Sequence, residues 1–152
     1  MTASQAAPGS HQKAAGDALG ALAGRRTVLV VDDEDSIREM IGVILELEGY
    51  RVLKAADGPA GLLLALDEQP DLITLDVMMP GIDGWEVSRR LSEDPRTAAI
   101  PVVIISGKPL AELEGDPGRA RVATVLTKPF DFDAFTTLVQ KVMAMPAPRL
   151  PA

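Results

Sequence analysis

The sequence predicts a doubly wound α/β domain built on one parallel sheet. Three observations carry this. Short aliphatic runs rich in β-branched residues alternate with segments of helical periodicity. The runs are apolar at nearly every position, as strands covered on both faces are. Several end directly in charged or hydroxyl residues. A parallel sheet gathers its strand ends along one edge, where ligands bind in such folds.

The first run, Val28-Leu29-Val30-Val31, reads as a buried strand ending in acid. Residues 36–48 place Ile37, Met40, Ile41, Ile44 and Leu45 at helical spacing, and Gly49 closes the helix as a C-cap. Residues 51–55 form a second strand. Residues 59–67 are an Ala/Leu-rich helix opened by Pro59. Residues 72–75 are a third strand, ending at Asp76, and Met79-Pro80-Gly81 is a turn before a helix over 84–91. Strands over 102–105 and 124–127 follow. The last helix spans 131–142, with Asp131 as N-cap and Phe135, Leu138, Val139 and Val142 on one face.

The remaining residues read as tails. Ala, Gly, Ser and Gln dominate residues 1–26, which predicts a disordered segment. Its apolar part is broken by Asp17 and Gly20, a poor secretory signal, so the expected location is cytoplasmic. Residues 143–152 carry Pro146, Pro148 and Pro151 and read as a Pro-rich tail. The 152 residues have a net charge of −7, and residues 27–142 hold 21 acids against 11 bases, or −10. That balance argues against a nucleic-acid partner, which needs a basic surface. No apolar run reaches the roughly 20 residues of a membrane span. With no cysteine and one histidine, His11, thiol chemistry, cysteine zinc sites and multi-histidine sites fall away.

The predicted strand ends carry the chemistry. Strand one ends in Asp32-Asp33-Glu34-Asp35, strand three in Asp76, strand four in Ser106 and strand five in Thr127-Lys128-Pro129. The topology brings three carboxylates, a hydroxyl and an ammonium to one edge. Clustered carboxylates repel unless a cation sits among them, and Mg²⁺ favours one or two carboxylates with waters and phosphate oxygens. A lysine pairs with phosphate as a point charge, and a carboxylate can itself become an aspartyl-phosphate. The constellation suggests magnesium-assisted phosphoryl transfer to an aspartate.

Four segments sharpen this: Val28-Leu29-Val30-Val31-Asp32-Asp33-Glu34, Leu75-Asp76-Val77-Met78-Met79-Pro80-Gly81-Ile82-Asp83-Gly84, Val103-Ile104-Ile105-Ser106-Gly107 and Leu126-Thr127-Lys128-Pro129-Phe130. Together, in this order and spacing, they strongly resemble the receiver domain of bacterial two-component response regulators, across residues 27–142. The resemblance implies a flavodoxin-like (βα)5 sheet in the order 2-1-3-4-5. It also implies Asp76 as phosphoacceptor, Asp33 as a direct Mg²⁺ ligand, Asp32 acting alongside through water, and the Met78 carbonyl as a further ligand. Ser106 and Lys128 would hold the phosphoryl group, and the Lys128–Pro129 bond would be cis. The implied protein is a stand-alone, non-enzymatic signalling module. Its donor is a sensor histidine kinase or histidine phosphotransfer protein, and its output is protein contact or onward phosphotransfer.

Two departures from that family bear on output. The position three before Lys128 is Val125, where an aromatic is usual, so the surface change coupled to Ser106 is expected to be altered or weak. Between strands four and five, residues 108–114 make under two helical turns before Gly115-Asp116-Pro117-Gly118, and Arg121 stands where glycine is usual. A short or mobile helix is expected there. Two other readings compete: a pseudo-receiver acting without phosphorylation, and a Mg²⁺-dependent aspartate phosphohydrolase using Asp33-Glu34-Asp35. Trp85, just beyond the acceptor loop, is open to partial packing or a ligand platform; Arg89-Arg90 are expected on a solvated helix face, His11 inert, and Met143 and Met145 in tail contacts.

Overall fold

The computed structural model describes residues 24–107 and 124–145. The readings made for residues 1–23, 108–123 and 146–152 lie outside the described residues. The elements run β1 (Thr27–Val31), α1 (Asp35–Leu47), β2 (Arg51–Ala55), α2 (Gly58–Glu68), β3 (Leu72–Asp76), α3 (Gly84–Glu93), β4 (Val102–Ser106), β5 (Thr124–Thr127) and α4 (Phe132–Ala144). All five strands are parallel, in the order β2-β1-β3-β4-β5. This is the doubly wound arrangement read from the sequence.

Side chains alternate across the sheet and make two cores. Leu29, Val31, Ile73, Leu75 and Ile104 face Ala65 of α2 and Trp85, Val87 and Leu91 of α3. Val28, Val30, Leu72, Val103 and Ile105 face Ile41 and Leu45 of α1 and Phe135 and Val139 of α4. Both faces of β1, β3 and β4 are buried, which is why these strands show no polar alternation. At roughly 25 cal/mol per Å² of apolar surface, fully burying one such aliphatic chain is worth about 2 kcal/mol. Trp85 is one of the core residues, which favours packing over a ligand platform.

Helix boundaries follow from capping. Asp57, Asp83 and Asp131 accept from the backbone N–H of Ala60, Glu86 and Ala134 at 2.8, 2.9 and 2.6 Å, opening α2, α3 and α4. Gly49 ends α1 with φ of 95°, a conformation open to glycine and costly for other residues. One reading is corrected: α4 continues to Ala144, and Met143 packs against the core on the α1/α4 side instead of serving a tail. Its carbonyl also accepts from Arg26 Nη1 at 3.0 Å.

Candidate functional site

The register sets the strand ends side by side: Asp76 pairs with Ile105, and Ser106 with Thr127. Asp32 follows the last residue of β1 and its N–H still donates to Ala55 of β2, at 3.2 Å. Carboxylate oxygens of Asp32, Asp33 and Asp76 thereby come within 4.8 Å of one another. Asp32 and Asp76 are buried while Asp33 is exposed, so the pocket has a walled floor and an open mouth.

Lys128 is the cation of the pocket. Its Nζ lies 3.3 Å from Asp32 Oδ2, 3.8 Å from Asp76 Oδ2 and 3.9 Å from Glu34 Oε1. The loop that delivers it is tied to β4, since Lys128 N–H donates to the Ser106 carbonyl at 2.6 Å. The Lys128–Pro129 bond is cis. Ser106 is fully buried at the end of β4.

Burial raises the Asp76 carboxyl to about 6, and the charges of Asp32 and Asp33 add to that; the Met78 N–H and Lys128 pull the other way. The Met78 N–H donates to Asp76 Oδ1 at 3.1 Å while its side chain is exposed. Behind Asp76 the chain turns through Gly81, with φ of 78°, and returns at Gly84. A Cβ on Gly84 would fall 2.3 Å from the Asp76 carbonyl oxygen, so the acceptor's backbone position depends on glycine there.

The donor set suits Mg²⁺: hard oxygen ligands, a net negative pocket, and a buried carboxylate whose charged form needs a cation. Of the residues expected at the site, Asp32, Asp33, Asp76 and Lys128 converge in this pocket; Ser106 ends β4 beside it, and Met78 meets Asp76 through its N–H. The alternative Asp33-Glu34-Asp35 pattern does not close on the pocket, because Asp35 opens α1 and pairs with Arg38. Arg38 itself was not legible as a site residue. It lies one helical turn past the acidic run, and its Nη1 donates to the Asp32 carbonyl at 2.8 Å. Val125 pairs with Ile104 and packs on the α2/α3-side core. Arg89 and Arg90 are exposed and paired with Glu86, and Arg89 also with Glu93, as a solvated helix face.

Comparison with known proteins settles the family. The model of the response regulator receiver domain matches residues 28–140. The chain belongs to the response regulator receiver family. Protein PilH of Pseudomonas aeruginosa is 35% identical over 117 residues, covering 77% of this chain and 97% of PilH. The DNA-binding dual master transcriptional regulator RpaA of Synechocystis is 39% identical over 118 residues, covering 76% of this chain and 48% of RpaA. The chain thus spans about half of that regulator's length. Among solved structures, the receiver resembles the Vibrio cholerae chemotaxis protein CheY4, with a TM-score of 0.73 and 31% identity over 78% of this chain and 99% of that one. It also resembles Thermotoga maritima TrrA in complex with Mg²⁺-BeF, with a TM-score of 0.70 and 29% identity over 77% of this chain and 98% of that one. Among the described residues, no helix is long and apolar enough to cross a membrane.

Proposed function

We propose that this receiver accepts a phosphoryl group on Asp76 from a phosphohistidine of a sensor histidine kinase or histidine phosphotransfer protein. The observation that carries this is the convergence of three carboxylates with Lys128 at one edge of the sheet. Asp33 and Asp76 would hold Mg²⁺ through their carboxylates, Asp32 alongside through water and the Met78 carbonyl as a further ligand, and the ion would supply positive charge against the incoming phosphoryl oxygens. Asp76, with its carboxyl near 6, is ionised at neutral pH and presents a nucleophilic oxygen. That oxygen bonds to phosphorus as the donor's P–N bond breaks, and the histidine nitrogen leaves with the electron pair and takes a proton from solvent. Lys128 Nζ pairs with one phosphoryl oxygen and the Ser106 hydroxyl donates to another.

The output is protein contact or onward phosphotransfer, not turnover of an external substrate. Stand-alone signalling is supported by the match to nearly all of PilH. The site's carboxylates and ammonium favour this over a pseudo-receiver. The test is intact-mass measurement after treatment with acetyl phosphate and Mg²⁺. One added phosphoryl group on the native chain and none on Asp76→Ala is expected. Equal modification of both, or no modification of either, contradicts the proposal.

A further inference from the structure

Every polar group of Asp32 has a partner, and the partners differ in kind. The N–H donates into the sheet at Ala55. Oδ1 accepts from the Glu34 N–H at 2.9 Å, and Oδ2 faces Lys128 Nζ at 3.3 Å. The carbonyl accepts from Arg38 Nη1 at 2.8 Å, while Arg38 Nη2 holds the Asp35 carboxylate. The Arg38 side chain is 14% exposed against 88% for Asp35, so it lies largely enclosed while its bond to Asp35 faces solvent. α1 has no side-chain cap at Glu34, unlike the other three helices among the described residues. Arg38 takes over that corner by bridging the two ends of the β1–α1 loop, residues 32 and 35.

We propose that Arg38 is a positioning residue for the acidic pocket, fixing the β1–α1 loop so that Asp32 and Asp33 present their oxygens to a divalent cation. The inference rests on the reading of the pocket as a Mg²⁺ site. Two holds on Asp32 act on its carboxylate, which a cation also claims. Arg38 acts on the carbonyl and stays engaged whatever the carboxylate binds. Without it, a buried carbonyl loses its donor and the loop relaxes to find another.

The sign of the effect separates positioning from simple charge. As a mere positive charge beside carboxylates, Arg38 would repel a cation, and its removal would tighten binding. As a positioning residue, its removal weakens binding. The experiment is calorimetric titration of metal-stripped full chain with MgCl₂, alongside thermal unfolding in EDTA. Arg38→Met is expected to raise the Mg²⁺ Kd about tenfold, the size seen for partners that orient metal ligands. Arg38→Gln, which keeps a donor but not the fork, is expected between, and Arg38→Lys closest to the native value. Asp71→Asn is the stability control. Asp71 accepts from Thr27 N–H at 2.7 Å at the far end of β1, so this variant is expected to lower Tm with Kd unchanged.

An unchanged or lower Kd in Arg38→Met overturns the inference. So does a Kd raised equally by Asp71→Asn, or a fold lost in all three Arg38 variants, either of which makes Arg38 merely structural. If Arg38→Met alone fails to fold, Arg38→Gln carries the test. No Mg²⁺ binding by the native chain overturns the metal reading itself, an outcome distinct from equal binding by native and variant chains.

Discussion

Six aspartates at the same end of the sheet do two opposite jobs. Asp57, Asp83 and Asp131 are exposed and satisfy backbone N–H groups that open α2, α3 and α4. Each sits where an unpaired helix dipole favours negative charge. Asp32, Asp33 and Asp76 instead point at one another, and two of them are buried. The first set stabilises the fold. The second opposes it, and Asp76, held up near 6 by burial, shows the strain of that arrangement. The contrast teaches that residue type does not fix a role here. A cap aspartate has donors to meet, and a pocket aspartate has other carboxylates.

The largest expected break in this comparison is at Gly84. Its replacement by Ala sets a Cβ against the Asp76 carbonyl and must displace backbone, so denaturant unfolding is expected to show a loss of about 3 kcal/mol. Next is Asp76→Asn, which removes a charge but keeps an acceptor for the Met78 N–H. A carboxyl raised from 3.8 to about 6 in the folded state binds its proton more tightly there than in the unfolded chain. Its penalty is absent below the unfolded value, grows between the two and is full above the folded one. In metal-free protein the variant is therefore expected to gain up to roughly 3 kcal/mol above pH 7 and nothing below pH 4, read from urea melts across pH. The smallest effects belong to the caps. Asp57→Ala, Asp83→Ala and Asp131→Ala are each expected to cost about 1 kcal/mol in the same melts.

Much of this was legible before any coordinates. Fully apolar runs such as Val28-Leu29-Val30-Val31 and Val102-Val103-Ile104-Ile105 mark strands buried on both faces, and parallel topology then carries Asp32, Asp76, Ser106 and Lys128 to one edge. Asp131 was readable as a cap because an apolar helical face follows it. Asp57 and Asp83 were not singled out, since an isolated aspartate carries no sign of whether its oxygens face a helix end or a cation. Arg38 was hidden for a similar reason. Its role depends on a long side chain folding back one turn to a carbonyl, which no periodicity encodes. The extension of α4 over Met143 was masked by the Pro-rich residues that follow, while the core contact that holds it comes from tertiary packing.

The central claim is that the three pocket carboxylates are set against one another in readiness for a cation. Thermal unfolding of the native chain and Asp76→Asn, at pH 7.5 in EDTA and in saturating Mg²⁺, tests it most directly. The account expects the variant to melt higher in EDTA, and Mg²⁺ to raise the native Tm while moving the variant's far less. A variant that melts lower in EDTA, or equal gains from Mg²⁺ in both chains, would contradict it.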